Sequence, residues 1–128
     1  MDHGHADAER GSTSVSRNRG RVATRAREYI RLHACEGIGI PDVVAHVGVS
    51  RRLLETLVRE STGRSLLGLI QQIRLESCCF LLETTNLPVS EVQQRSGYHL
   101  TANPGRVFRK AFGMSMSEYR AAHRRPEA

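Results

Sequence analysis

The stretch Ile40-Pro41-Asp42-Val43-Val44-Ala45-His46-Val47-Gly48-Val49-Ser50 runs on through Leu54, Val58, Gly63 and Ser65. Its spacing returns later as Val89-x-x-Val92-x-x-x-x-Gly97-Tyr98-His99, followed by Pro104, Phe108, Gly113 and Ser115. The second copy has one extra residue after Gly97. Each copy reads as a short apolar-periodic helix, a glycine turn and a second amphipathic helix, which is the pattern of a helix-turn-helix. Two such units in one small basic chain point to a reader of two adjacent DNA grooves.

Outward from that repeat, local chemistry predicts most of the remaining elements. Val22, Ala26, Tyr29, Ile30 and His33 share one face at helical spacing, and Gly37 and Gly39 end their helix. Pro41 and Asp42 suit the first turn of the next helix, where a missing N–H costs nothing and a carboxylate meets the positive end of the dipole. Val43, Val44 and Val47 form its buried stripe. Ser50 is placed to cap the following helix, which Leu53, Leu54, Leu57 and Val58 pack down and Gly63 closes. The longest helix is predicted over Leu66 to about Thr84, with a stripe of Leu66, Ile70, Ile73, Ser77 and Leu81, stopped by Thr84, Thr85, Asn86 and Pro88. A shorter helix runs to Ser96, and after the Gly97 turn another runs to about Phe112. Ser115 and Glu118 have capping-box spacing and open a last short helix carrying Tyr119. Period-two alternation is absent, so no strand is predicted.

Residues 1 to about 20 offer almost nothing to bury and are expected to form a disordered arm. Residues 21–122 form the predicted domain and 123–128 a frayed tail. His3 and His5 lie in the arm, where a lone histidine pair is usually incidental.

The formal charge of the 128-residue chain is +6, with a pI near 10.0. That balance is compatible with nucleic acid and equally with a solvated basic face. Lys110 is the only lysine, and the rest of the positive charge is arginine, whose planar fork matches phosphates and guanine edges. Cys35, Cys78 and Cys79 have neither a disulfide nor a zinc spacing, which fits a reducing cytoplasm. No apolar run approaches a membrane span and no signal-peptide pattern opens the chain. The histidines are scattered, and no nucleophile motif, phosphate loop or metal set is present. An enzyme is therefore not expected, nor a cofactor or a metal. Cys78 and Cys79 fall mid-helix, where cysteines usually act as small buried hydrophobes.

The chain from Val22 to Arg120 resembles the DNA-binding domain of the AraC/XylS family of bacterial transcription regulators. The resemblance is carried by Tyr29-Ile30-x-x-His33, by Val49 to Glu55, and by Gly63-x-Ser65 with Ile70-x-x-x-Arg74-Leu75-Glu76. It continues through Leu81 to Val92, Ser96-Gly97-Tyr98, Arg106 to Gly113 and Glu118-Tyr119-Arg120. The segment Tyr29 to Gly37 looks most like the xylose-operon regulators of that family. The resemblance implies an all-α fold of about seven helices, with two helix-turn-helix units joined by the long helix. It also implies sequence-specific binding to double-stranded promoter DNA and, commonly, contact with RNA polymerase. Many family members carry an effector-binding domain upstream. Here the arm stands in that place, so no small-molecule effector site is expected within this chain.

Carried over by position, the first recognition helix begins at Ser50 and presents Arg51, Arg52, Glu55, Thr56 and Arg59. Arg51 or Arg52 suits a bidentate grip on guanine, Glu55 an acceptor role toward cytosine, and Thr56 a hydroxyl contact. Ser50 itself serves at least as the cap. In the second unit the matching positions are Thr101, Ala102, Asn103 and Arg106, with Arg109 and Lys110 as phosphate partners.

The second unit departs from the family pattern, which usually has an aromatic–apolar pair at 103 and 104. This chain has Asn103-Pro104-Gly105. Proline inside a helix costs about 3 kcal/mol or more. The expected escape is a later start, with Asn103 as N-cap and Pro104 as the first helical residue. Residues 100–102 then lie in a loop, and the second unit is expected to be weaker or limited to backbone contacts. Gln93 and Gln94, where small apolar residues are favoured, and Met116, in place of the usual proline, are further departures. The alternative reading is a degenerate helical module that binds a protein partner, or DNA without sequence choice.

Overall fold

The computed structural model describes residues 3–125, with side chains from Asn18 onward. His3 and His5 lie outside the described side chains, and Pro126 to Ala128 outside the described residues.

Among the described residues there are seven α-helices and no strand. Helix α1 spans His3–His33, and a 3₁₀ turn, Ala34–Glu36, follows it. Next come α2 (Ile40–Val47), α3 (Arg51–Thr62) and α4 (Leu66–Thr84). The chain finishes with α5 (Val89–Arg95), α6 (Pro104–Phe112) and α7 (Met116–His123). Helices α1, α2 and α3 pack together, α5, α6 and α7 form a second group, and α4 touches both.

Each group has its own core. Ala26, Ile30 and Ala34 of the α1 region meet Val43 and Val47 of α2 and Leu54 and Val58 of α3. The second core gathers Val92, Tyr98, Phe108, Met116 and Tyr119. Helix α4 supplies Leu66 and Ile70 to the first and Cys78 and Leu82 to the second. Its fully packed positions are therefore Leu66, Ile70, Arg74, Cys78 and Leu82. This corrects the expected stripe, because Ile73, Ser77 and Leu81 are only partly buried. The physical reason is rotational. At 3.6 residues per turn a row of fourth neighbours drifts by about 40° per step, so Leu66 and Leu82 stand about 160° apart around the axis. The helix thus turns nearly opposite sides to its two cores. Leu53, expected to pack inward, is 41% exposed.

The local signals read from the sequence form as expected. The Ser50 and Ser115 hydroxyls accept from the amides of Leu53 and Glu118, and Ser65, for which no cap was expected, accepts from the Gly68 amide. The Ser115–Glu118 capping box is complete, since the Glu118 carboxylate accepts from the Ser115 amide at 3.0 Å. Gly37, Gly48, Gly63 and Gly113 close their helices with left-handed backbone.

At each end the described residues reach past the bounds 21–122 expected for the domain. The backbone of α1 is helical from His3, whereas the composition predicted an unstructured arm to about residue 20. Extending an existing helix adds one hydrogen bond per residue fixed, without a new nucleus, so a polar segment can continue the register of the packed part. At the other end, residues 123–125 are tied down rather than frayed. His123 belongs to α7 and stacks on Tyr119 with ring centroids 4.1 Å apart. Arg125 donates its amide to the Glu83 carbonyl and its guanidinium to the Glu83 carboxylate. The same carboxylate accepts from the Tyr119 hydroxyl at 2.7 Å, a bond that holds it below the usual carboxylate range.

Candidate nucleic-acid interface

The first unit is α2, the Gly48–Ser50 turn and α3. Gly48 takes φ 81° and donates its amide to the Val44 carbonyl at 2.9 Å, which ends α2. Ser50 is extended and caps α3 at 3.1 Å. Leu54, Leu57 and Val58 are buried along one side of α3. At roughly 1.5–3 kcal/mol for each fully buried apolar side chain, that side fixes the rotation of the helix. Arg51, Arg52, Thr56 and Arg59 are consequently exposed, as is Ser50. Among the described residues no ion pair engages Arg51, Arg52 or Arg59. Two cationic forks thus project from the first turn of a capped helix.

Glu55 has a partner inside the protein. It is half-buried, and its carboxylate accepts from the Leu66 amide at 3.3 Å, at the start of α4. That bond satisfies one orphan donor of α4. Thr56 donates its hydroxyl back to the Arg52 carbonyl at 3.1 Å and keeps its lone pairs outward. At its far end α3 is steadied by an Arg19–Glu60 ion pair at 3.4 Å from α1.

The second unit is α5, the turn around Gly97 and α6. Asn103 caps α6, its Oδ1 accepting from the Arg106 amide at 3.2 Å, and Pro104 is the first helical residue. Helix α6 has 9 residues against the 12 of α3. Thr101, Ala102 and Asn103 precede the helix, so three expected contact positions sit on a loop. Arg106, Arg109 and Lys110 are exposed on α6, and Phe108 is buried behind them. Arg109 faces the Glu118 carboxylate at 3.6 Å, which offsets part of its charge. Leu100 is 79% exposed on the loop.

The joint between the units holds a residue that the sequence motif included but to which no role was given. Arg74, midway along α4, is 7% exposed. Its Nε donates to the Ala34 carbonyl at 2.9 Å, and its Nη2 donates to the Ile38 carbonyl. Its guanidinium carbon lies 5.8 Å from the centre of the Tyr98 ring. Burial pulls its pKa below the ordinary arginine value. Tyr98 in turn donates its hydroxyl to Gln71 at 2.8 Å. The available signal was an arginine on the fourth-neighbour row Leu66, Ile70, Arg74, Cys78 and Leu82.

No group of three or more His, Cys, Asp or Glu side chains able to hold a metal occurs among the described residues. Cys78 is a free thiol, pushed up to about 11 by burial, and carries little thiolate near neutral pH. No single described helix is long and apolar enough to cross a membrane.

Comparison with known proteins agrees with this geometry. The model of a family described as "Helix-turn-helix domain" matches residues 43–122, which takes in both units. The xylose operon regulatory protein of Escherichia coli (strain K12) is 36% identical over 112 residues. The match covers 88% of this chain and 29% of that protein, so the chain spans under a third of the length of that curated relative. The C-terminal domain of AraT, a response regulator from Geobacillus stearothermophilus, superposes with a TM-score of 0.77 at 31% identity, covering 83% of this chain and 88% of that one. The DNA-binding domain of AdpA, solved in complex with a target DNA, gives a TM-score of 0.72 at 28% identity, covering 78% of this chain and 90% of that one. Two helix-turn-helix units joined by one helix, with the family match spanning both, place this chain in the AraC/XylS family of helix-turn-helix transcription regulators.

Proposed function

We propose that this chain binds double-stranded promoter DNA with sequence preference and thereby regulates transcription in the bacterial cytoplasm. The observation that carries the reading is the first turn of α3. Arg51 and Arg52 stand exposed there, without ion-pair partners among the described residues, on a helix whose rotation Leu54, Leu57 and Val58 fix. A guanidinium so placed can take guanine O6 and N7 together. Thr56 and Arg59 extend the same outward face, whereas Glu55 acts in holding α3 to α4. In the second unit Arg106, Arg109 and Lys110 take phosphates and set orientation, and the loop at Thr101, Ala102 and Asn103 adds backbone contacts. Helix α4, with 19 residues, is about 30 Å long, comparable to the roughly 34 Å of one duplex turn. The AdpA domain in complex with a target DNA supports the assignment by similarity. RNA polymerase as a protein partner is proposed here by resemblance to the family only.

The late start of α6 favours a second reading for its unit, in which sequence choice resides in the first unit only. Selection of bound oligonucleotides from a random pool separates the readings. One enriched half-site is the expected result. Two half-sites about one helical turn apart show both units reading bases. Affinity that falls steeply with salt and equally for every sequence overturns sequence-specific regulation in favour of a non-specific basic module. Binding of neither kind leaves a protein-binding module.

A further inference from the structure

We propose that Arg74 is a positioning residue that, with the Gly97 turn, locks the two helix-turn-helix units in one mutual orientation and so sets the separation of their DNA contacts; this rests on the DNA-binding reading above. Each unit has a separate core, and the two share only α4 and a small direct joint. That joint is built tightly. Gly97 has φ +92°, and a Cβ there would lie 2.3 Å from the Ala34 carbonyl oxygen, 2.9 Å from Cys35 Cα and 3.0 Å from Arg74 Nε. Second-unit backbone therefore rests directly on the end of the first unit. Two residues on, the His99 ring covers Gly37, where a Cβ would meet its Cε1 at 2.5 Å.

Arg74 bridges this joint from α4. Its donors go to carbonyls of the first unit, Ala34 and Ile38, and its guanidinium faces Tyr98 of the second. The fork matters more than the charge. One planar group reaches two carbonyls at once, whereas a lysine ammonium is a point donor on a flexible stem. Without donors at 74, the Ile38 carbonyl loses its hydrogen bond to α4 and only apolar packing is left there. The cores that hold each unit to α4 do not contain Arg74. Its loss should therefore loosen the angle between units more than it unfolds either.

The test compares the whole chain with Arg74→Met, which keeps the aliphatic bulk and removes the donors. Residual dipolar couplings should fit α1–α3 and α5–α7 to one alignment tensor in the parent chain and require two in the variant. On the selected DNA site, hydroxyl-radical footprints of the parent should show two protected windows. The variant should keep the first, smear or lose the second, and bind about ten-fold more weakly, because a loosely tethered second unit has a lower effective concentration. If Arg74→Met does not fold, Arg74→Lys carries the same comparison with an intermediate result expected. A common tensor with an unchanged second window in the variant overturns the proposal, as does a parent footprint with a single window. A parent that leaves no footprint on any DNA sinks the DNA-binding reading instead, and the tensors then still decide whether Arg74 locks the units.

Discussion

The turns of the two units occupy equivalent places in the repeat, yet Gly48 and Gly97 answer to different demands. Both adopt positive φ, 81° and 92°, which only glycine takes without strain. Around Gly48 there is open space, with nothing within 4 Å of an added Cβ. Around Gly97 there is backbone at 2.3 Å. The residues after each glycine differ too. Ser50 caps α3 directly, whereas His99 lies over Gly37 and the capping duty passes to Asn103. The first turn presents a helix to the outside, and the second joins the halves of the molecule. A repeated sequence pattern thus need not repeat a role. Spacing preserves the helix ends, while packing decides what each turn is for.

The largest expected effect breaks this comparison at its centre. Gly97→Ala should cost about 3–5 kcal/mol, from left-handed strain plus overpacking against backbone. Gly48→Ala should cost only about 1–2 kcal/mol, from strain alone. Urea unfolding of both variants checks this, and equal losses would show that the Gly97 joint is not tight in solution.

Next come the arginines. Arg52→Ala should relax preference at one base position by about 1–3 kcal/mol, while Arg109→Ala should weaken all sequences alike and reduce the salt slope by about one. Competition binding with single-base variants at several salt concentrations measures both. Indistinguishable profiles would remove the division of labour between α3 and α6.

The caps should have similar thermodynamic weight and different consequences. Ser50→Ala and Asn103→Ala each remove one capping acceptor, at about 1 kcal/mol in stability. In binding, only Ser50→Ala should blunt sequence preference, if α3 carries the base-directed side chains as proposed. Parallel thermal melts and selections test the pair, and a larger specificity loss from Asn103→Ala would reverse the roles assigned to the units. The smallest effect is a gain. Gly105 is exposed, with nothing within 4 Å of an added Cβ, so Gly105→Ala should stabilise by about 0.4–1 kcal/mol in a urea titration. A loss there would show that α6 needs glycine for a reason beyond its own helix.

The helices and their ends were legible because they depend on near neighbours in sequence. Ser50, Ser115 and Asn103 cap amides three residues on, and the late start of α6 followed from Asn103-Pro104 alone. The outward placement of Arg51 and Arg52 followed from the leucine side of α3. The features that escaped depend on groups far apart in the chain. The Glu55 bond spans 11 residues, and the Arg74 bonds span 40 and 36. Periodicity could not show that α4 serves two cores, because apolar residues at 66, 69, 70, 73, 81 and 82 fit more than one stripe and the buried row passes through Arg74. The Arg125 bond is of the same kind, since its partner Glu83 lies 42 positions earlier.

The slow rotation of packed positions along α4 makes its length behave like the pitch of a screw. Adding one residue between Arg74 and Cys78 would swing everything beyond it by about 100° and advance it only about 1.5 Å. Helix α6 would then face away from a duplex held by α3. A seven-residue insertion would come back to within about 20° of the starting direction, roughly 10 Å further along. Either insertion would also lift the Gly97 turn off Ala34, so the joint fixes the length of α4 as well as its phase.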